Sequence, residues 1–181
     1  MGCLCDLPWR TNLVSEAEQP IELTIAPFEY AFPVDAALKA LKFRRRLDYV
    51  AAFAEILWRV SPALPNDVDA LLPVPLHWRR HTMRGFNQAT ELSLWLSEKS
   101  GLPLLTNFVR TRRTSFQSGL AAAERRRNLR HAFAVHGSCS AQHVLIVDDV
   151  ITTGATSSEL ARRAIAAGAK KVSVLAVARS S

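Results

Sequence analysis

Glycine and cysteine are scarce in this 181-residue chain, and each scarcity excludes a class of site. The seven glycines stand at 2, 85, 101, 119, 137, 154 and 168, with no two of them two or five positions apart. Neither the dinucleotide fingerprint Gly-x-Gly-x-x-Gly nor a Walker A loop can therefore be drawn. Three cysteines, Cys3, Cys5 and Cys139, are too few and of the wrong parity for a disulfide framework, and they fit a reducing compartment. Cys3-x-Cys5 supplies two ligands where a structural zinc site takes four, commonly in Cys-x2-4-Cys pairs, so zinc is not expected. Long apolar runs are also missing: nothing approaches the ~18 residues of a membrane span. The first twenty residues hold Asp6, Glu16 and Glu18 and no signal-peptide core, and Asp6 stands where a myristoylation signal wants Ser or Thr. A cytoplasmic protein with no membrane association is expected.

What is present is enough apolar material for one domain: 49% hydrophobic residues, 22% charged, and a mean hydropathy of +0.04. Acids are in short supply, 16 against 23 bases, for a net charge of +7. The imbalance is local. From His77 to His131 the chain carries eleven Lys or Arg and three Glu, net +8, which leaves the remainder at −1. Guanidinium groups donate in a planar fork that matches phosphate, so this arginine-rich stretch points to an anionic partner.

Leu23 to Phe32 reads as a strand, and Pro33 opens a helix with Val34, Ala37, Leu38 and Leu41 on one face. A second helix spans about Leu47 to Val60, with Val50, Phe53, Ala54, Leu57 and Trp58 on its apolar stripe. This front quarter reads as a cap or lead-in. A strand at Ala70 to Pro75, a basic loop His77 to Gly85 and a helix Phe86 to Ser100 stopped by Gly101 follow. Then come a strand at Leu104 to Val109, a second basic loop Arg110 to Gly119, a short helix around Ala122 to Leu129 and a strand at Ala132 to Val135. His143 to Val147 is a continuous apolar run, and a polar segment Asp148 to Thr156 leads from it into a helix Ser157 to Ala167. Gly168 caps that helix, and Lys171 to Ala178 is another buried strand. Alternating helices and apolar strands imply a mostly parallel sheet with helices on both faces.

The segment Val144 to Thr156 carries the chemistry. It places Asp148 and Asp149 at the carboxyl end of a buried strand, then three threonines and Gly154 at the start of a helix. Ligands of open α/β sheets bind at strand carboxyl ends, and a helix amino terminus offers unpaired N–H groups and partial positive charge to a phosphate. Gly154 lets the backbone come close, the threonine hydroxyls add donors, and the carboxylates can accept from sugar hydroxyls. An acid pair beside a phosphate cradle describes a ribose 5-phosphate site. The bland alternative is a capping box, Thr156-Ser157-Ser158-Glu159, after an ordinary Asp-Asp turn.

Ile146 to Thr156 resembles the phosphoribosyl pyrophosphate (PRPP) signature of type I phosphoribosyltransferases. Three further blocks, Val74-Pro75-Leu76-His77-Trp78-Arg79-Arg80, Arg84-Gly85-Phe86-Asn87-Gln88-Ala89, and Gln117-Ser118-Gly119-Leu120 through Arg126-Arg127-Asn128-Leu129, are similar in order and spacing to the competence-protein ComF/GntX family. The likeness runs from about residue 22 to the end. It implies a type I phosphoribosyltransferase-like fold over 22–181 with a small hood region, preceded by an N-terminal tail, 1–21, in which Cys3 and Cys5 would be a remnant of the family's four-cysteine zinc module. It further implies Asp148 and Asp149 on the ribose hydroxyls, and Thr152, Thr153, Gly154, Ala155 and Thr156 around the 5-phosphate. His77, Arg79, Arg80 and Arg84 would meet the pyrophosphate, with Mg²⁺ arriving on PRPP rather than held by the protein alone. Arg112, Arg113 and Gln117 would belong to a mobile loop, and Arg126 and Asn128 would brace the hood. The implied ligand is PRPP or another ribose 5-phosphate compound. The implied reaction is transfer of ribose 5-phosphate with pyrophosphate release, although no residue stands out as a nucleobase-activating acid or base, so activity does not follow from the fold. The same family likeness carries an alternative: a non-catalytic factor in DNA uptake, binding single-stranded DNA or DNA-processing proteins.

Other features have plainer readings. His77 and His81 lack the His-Glu-x-x-His pattern and fit a phosphate loop better than a metal pair. Asn87 and Gln88 read equally as ligand contacts or as the cap of the helix that Phe86 opens. Arg125 to Arg130 reads first as a solvated helix face. Trp58 and Trp95 fall on helix stripes and read as core, and the four tryptophans form no stacking platform for a single strand.

Overall fold

The computed structural model describes residues 7–9, 14–16, 20–44, 46, 48–76, 85–111 and 131–180. Three short strands open the chain: β1 (Val14–Glu16), β2 (Leu23–Ile25) and β3 (Phe28–Glu29). The single strand expected over Leu23 to Phe32 is thus two pieces, because Pro27 has no N–H to give to a ladder. Helices α1 (Val34–Arg44) and α2 (Asp48–Val60) follow, then β4 (Ala70–Pro73), α3 (Gln88–Ser100), β5 (Phe108–Arg110), β6 (Phe133–Val135), β7 (His143–Ile151), α4 (Ala155–Ala166) and β8 (Lys171–Arg179). Gly101 closes α3 in the left-handed conformation, φ 75°, and its N–H donates to Ser97 O.

The main sheet runs β1-β2-β8-β7-β4, with β3 also pairing β8. Every pairing in it is parallel except β1 with β2. Strand β1 lies within the stretch read as a tail, before residue 21, and Trp9 makes a bridge to Phe28. β5 and β6 form a separate antiparallel ladder.

Alternation along the parallel strands sorts the core into two layers. Leu71, Leu145, Val147, Leu175 and Val177 pack with Leu38 and Leu41 of α1, Phe53 and Leu57 of α2, and Leu92 and Leu96 of α3. Leu72, Val144, Ile146, Val172 and Val174 pack with Leu160, Ala161 and Ala164 of α4 and with Phe108 and Phe133 of the small ladder. The sheet is therefore covered on both faces, as its near-continuous apolar strands imply. Burying Leu38 and Leu41 contributes about 1.5–3 kcal/mol each and fixes the rotation of α1 about its axis. The front quarter is a structural layer and not a lead-in. Trp58, assigned to the core by periodicity, lies at the edge of the α2 stripe and is 37% exposed.

Carboxylates pin the amino ends of the strands. Asp69 accepts from Gln142 N (2.9 Å) and His143 N (3.0 Å). Asp67 accepts from His143 Nδ1 (2.7 Å) and Lys171 Nζ (2.9 Å), and these two partners, Lys171 first, hold its carboxyl down to about 2. The other ring nitrogen, Nε2, lies 2.9 Å from Ser173 Oγ. The order of bonds is that of a Ser-His-Asp relay, but Ser173 is fully buried and cannot meet a substrate, so the chain of bonds is structural.

Candidate ribose-phosphate site

β7 does not stop at the apolar run that marks it in the sequence. It continues through the acid pair to Ile151, held by pairing of Asp148 with Ala176 and Val150 with Ala178 of β8. The two carboxylates are consequently strand residues and not members of a turn. Alternation sends Leu145, Val147 and then Asp149 toward α1, where Lys42 Nζ stands 2.5 Å from Asp149 Oδ2. Asp148 Oδ1 accepts from the Asp149 N–H at 2.8 Å. Burial, then the neighbouring Asp149 charge, push the Asp148 carboxyl up to about 8 against the opposing pull of that N–H and of Lys42. Burial and the neighbouring charge thus favour the protonated form of Asp148 at neutral pH.

Both carboxylates line a cleft of about 1010 Å³ at the carboxyl end of β7. Thr152 and Thr156 border it from the turn that enters α4. That helix begins at Ala155 with Gly154 as its N-cap, left-handed at φ 69°, and no side chain caps it among the described residues. The capping box is therefore not formed. Glu159 instead reaches back to the His131 N–H (2.9 Å) and pairs with Arg162 and Arg163. Burial works against its ionisation, but the His131 N–H and the two arginines outweigh burial and hold the carboxyl below its ordinary range. His131, the one described non-glycine residue with positive φ (61°), is fixed at the same point by Arg163 Nη2, 2.6 Å from its Nδ1.

The remaining walls come from α1 and its approach, which local sequence does not mark as a site, and from Arg110, the first residue of the basic loop expected over the cleft. α1 supplies Lys39 and Lys42, β5 supplies Arg110, and Tyr30 precedes α1. Lys42 flanks the buried stripe of α1, one residue after Leu41 and four after Leu38, and that edge-of-stripe position was the available signal. The two readings of Asn87 and Gln88 divide between them. Asn87 is the N-cap of α3, its Oδ1 accepting from Ala89 N (3.2 Å) and its Nδ2 donating to Val74 O (3.0 Å). Gln88 is buried among the residues that line the cleft, and among the described residues its Nε2 has no hydrogen-bond partner.

Of the residues expected in the site, Asp148, Asp149, Thr152 and Thr156 come together around the cleft, with Thr153 and Gly154 in the adjoining turn and Ala155 at the first position of α4. His77, Arg79, Arg80, Arg84, Arg112, Arg113, Gln117, Arg126 and Asn128 lie outside the described residues, as do His81, Cys3 and Cys5. Among the described residues no group of three or more His, Cys, Asp or Glu is placed to hold a metal ion, and no helix is long and apolar enough to cross a membrane.

With this geometry in hand, comparison with known proteins is informative. Over 171 residues the chain is 36% identical to the DNA utilization protein YhgH of Escherichia coli O157:H7, covering 89% of this chain and 74% of that protein. It is 40% identical over 116 residues to competence protein F of Haemophilus influenzae, covering 62% of this chain and 51% of the relative. Competence protein ComFC of Bacillus subtilis is 29% identical over 174 residues, covering 95% and 70%. A purine phosphoribosyltransferase from Pyrococcus horikoshii superposes at a TM-score of 0.37 and 19% identity, covering 81% of this chain and 82% of its own, too loosely to carry an argument. No protein-family model matches the chain.

Proposed function

The chain belongs to the ComF/GntX family of competence protein F-like proteins, and from that premise we propose that its cleft binds PRPP or a related ribose 5-phosphate compound. The observation that carries the reading is the juxtaposition of Asp148 and Asp149 with the Gly154-led amino terminus of α4 in one cleft. Ribose hydroxyls donate to the Asp149 carboxylate, and Asp148, protonated at neutral pH, both accepts and donates. The first-turn N–H groups of α4 with Thr152 and Thr156 take the 5-phosphate. Mg²⁺ brought by the ligand would supply charge neutralisation at its pyrophosphate, since among the described residues no group of three or more His, Cys, Asp or Glu is placed to hold the ion. If transfer follows, the C1–oxygen bond to pyrophosphate breaks as an acceptor bonds to C1, and the nearby Asp149 carboxylate stabilises positive charge growing on the ribose ring.

Isothermal titration with PRPP and Mg²⁺ tests the binding. Heat in the wild type that vanishes when Asp148→Asn and Asp149→Asn are combined is the expected result; no heat in the wild type defeats the reading. Release of pyrophosphate in the presence of a panel of nucleobases and amines tests the transfer.

A second reading, a factor that handles single-stranded DNA, is favoured by the relatives' names, DNA utilization protein and competence protein, together with the +8 stretch from His77 to His131. It requires single-strand affinity that falls with salt at a log–log slope of roughly −0.7 per phosphate neutralised. Salt-independent binding would defeat it, and competition between PRPP and the oligonucleotide would show that the two share a surface.

A further inference from the structure

The row of β7 side chains that faces α1 changes character at its carboxyl end. Leu145 and Val147 pack there with Leu38 and Leu41, but Asp149, next in the same row, meets Lys42 Nζ at 2.5 Å. The pair is mostly withdrawn from water, with 21% of the Lys42 side chain and 12% of the Asp149 side chain exposed. The cost of taking two charges out of water can exceed their attraction, and an apolar residue continuing the row would avoid it. As a pair they add little to the fold, whereas both line the cleft.

Lys42 has no acid on its own helix to hold it. Lys39, one turn earlier on the same wall, is taken up by Asp35 at 2.6 Å. The residues three and four positions from Lys42 are Leu38, Lys39, Arg45 and Arg46, so its carboxylate partner comes from the sheet. An ionised carboxylate offers about four acceptor sites, and one ammonium leaves others open to donors in the cleft. Lys42 therefore fixes Asp149 and favours its charged form without using it up. The titratable groups around that carboxylate are Asp148 beside it on β7, Lys42 and Lys39 of α1, Tyr30 before α1 and Arg110 of β5. Among the described residues β8 and α3 bring no titratable group to the cleft. Two adjacent acids favour holding a proton between them, and Lys42 opposes that.

We infer that Lys42 is a positioning residue: it holds Asp149 as the charged acceptor for a ribose hydroxyl and acts on the ligand only through that carboxylate. The inference rests on the reading of the cleft as a ribose-phosphate site. Its test is isothermal titration of the full chain with PRPP and Mg²⁺, from pH 6 to 9, on the wild type, Lys42→Met, Asp149→Asn and the two substitutions combined. Weakening a charge-assisted hydrogen bond to a neutral one predicts that Lys42→Met lowers PRPP affinity about 10-fold at pH 7. The loss is greatest at pH 6 and narrows as pH rises, because the acid pair then gives up its proton without help from a cation. In the Asp149→Asn chain the same Lys42→Met changes affinity by less than about 2-fold, since the group through which Lys42 acts is gone. That comparison holds even where Lys42→Met alone does not fold, because the combined variant buries neither charge. Equal weakening by Lys42→Met with and without the Asp149 carboxylate means that Lys42 meets the ligand itself and overturns the inference; so does a loss that ignores pH, or no loss. Those results leave the cleft reading intact, and a wild type that binds no PRPP overturns both.

Discussion

Replacing Asp148 by Asn should make the protein more stable, by an amount that grows with pH. Asp148 has a carboxyl pushed from 3.8 up to about 8 in the folded chain. A carboxyl raised in the folded state gives full stability below its unfolded value, and that stability drains away as pH rises through the folded value. At 1.36 kcal/mol per pH unit, the wild type carries a penalty on the order of 1–2 kcal/mol at pH 5 and about 4 kcal/mol at pH 7, levelling off above pH 8. Asparagine removes the penalty, and its Oδ1 can still accept from the Asp149 N–H as Asp148 Oδ1 does at 2.8 Å. For a chain of this size 1 kcal/mol moves the melting temperature by about 2–4 °C. Even if water entry relieves half the penalty, Asp148→Asn should melt roughly 4–8 °C higher at pH 7 and only about 1–3 °C higher at pH 5. Thermal melts followed by circular dichroism from pH 5 to 9 measure this, and subtracting the two proteins cancels every other titrating group. A variant that melts lower than the wild type, or a difference that does not change with pH, would refute the account of the acid pair.

Lys42→Met strips Asp149 of its cation while leaving the second acid beside it, and should cost about 1–3 kcal/mol in urea unfolding; Asp149→Asn in the same chain should recover most of the loss, giving a measurable coupling energy. Glu159→Gln removes the ionised acceptor shared by His131, Arg162 and Arg163 and should destabilise by about 1.5–3 kcal/mol at pH 7. Because the Glu159 carboxyl is held low, that difference should persist down to pH 4.5 and close only as pH falls through its depressed folded value, which acid titration of the two proteins would follow. At Gly154 an added Cβ meets nothing within 4 Å, so Gly154→Ala should cost only the backbone strain of a left-handed alanine, about 1–2 kcal/mol, read from the same denaturation curves.

The stretch from His143 to Arg179 was legible in the sequence because each of its signals is local. An apolar run, an acid pair, a glycine at a helix start and a second apolar run define strand, turn, helix and strand without reference to the rest of the chain. The end of β7 was misplaced, since two acids look like a turn until β8 is there to pair with them, and α4 starts at Ala155, two residues before the expected Ser157. The opposite wall was not legible for the complementary reason. Lys42 reaches Asp149 only because α1 lies on the face to which Asp149 points, and that depends on a strand order, β2-β8-β7-β4, that no local pattern contains. Gln88 looked like one of two interchangeable cap residues, and which of them caps α3 was settled by Val74, thirteen residues before Asn87. Trp58 failed as a core residue because a tryptophan at the margin of a stripe overhangs it.

Asp67 and Asp69, two positions apart in the approach to β4, between them grip the amino ends of β7 and β8. Three neighbouring strands are thereby set in register at the end of the sheet farthest from the cleft. Strand alignment is rigid over distances of this order, so the relative heights of Val74 and the acid pair are decided by carboxylates that no ligand touches. The cleft is in this sense cantilevered: the strands that carry its acid pair are held in register from the far end of the sheet, and not by bonds across the cleft alone. Substitutions at Asp67 or Asp69 should accordingly alter binding without contact, by letting one strand slip against the next.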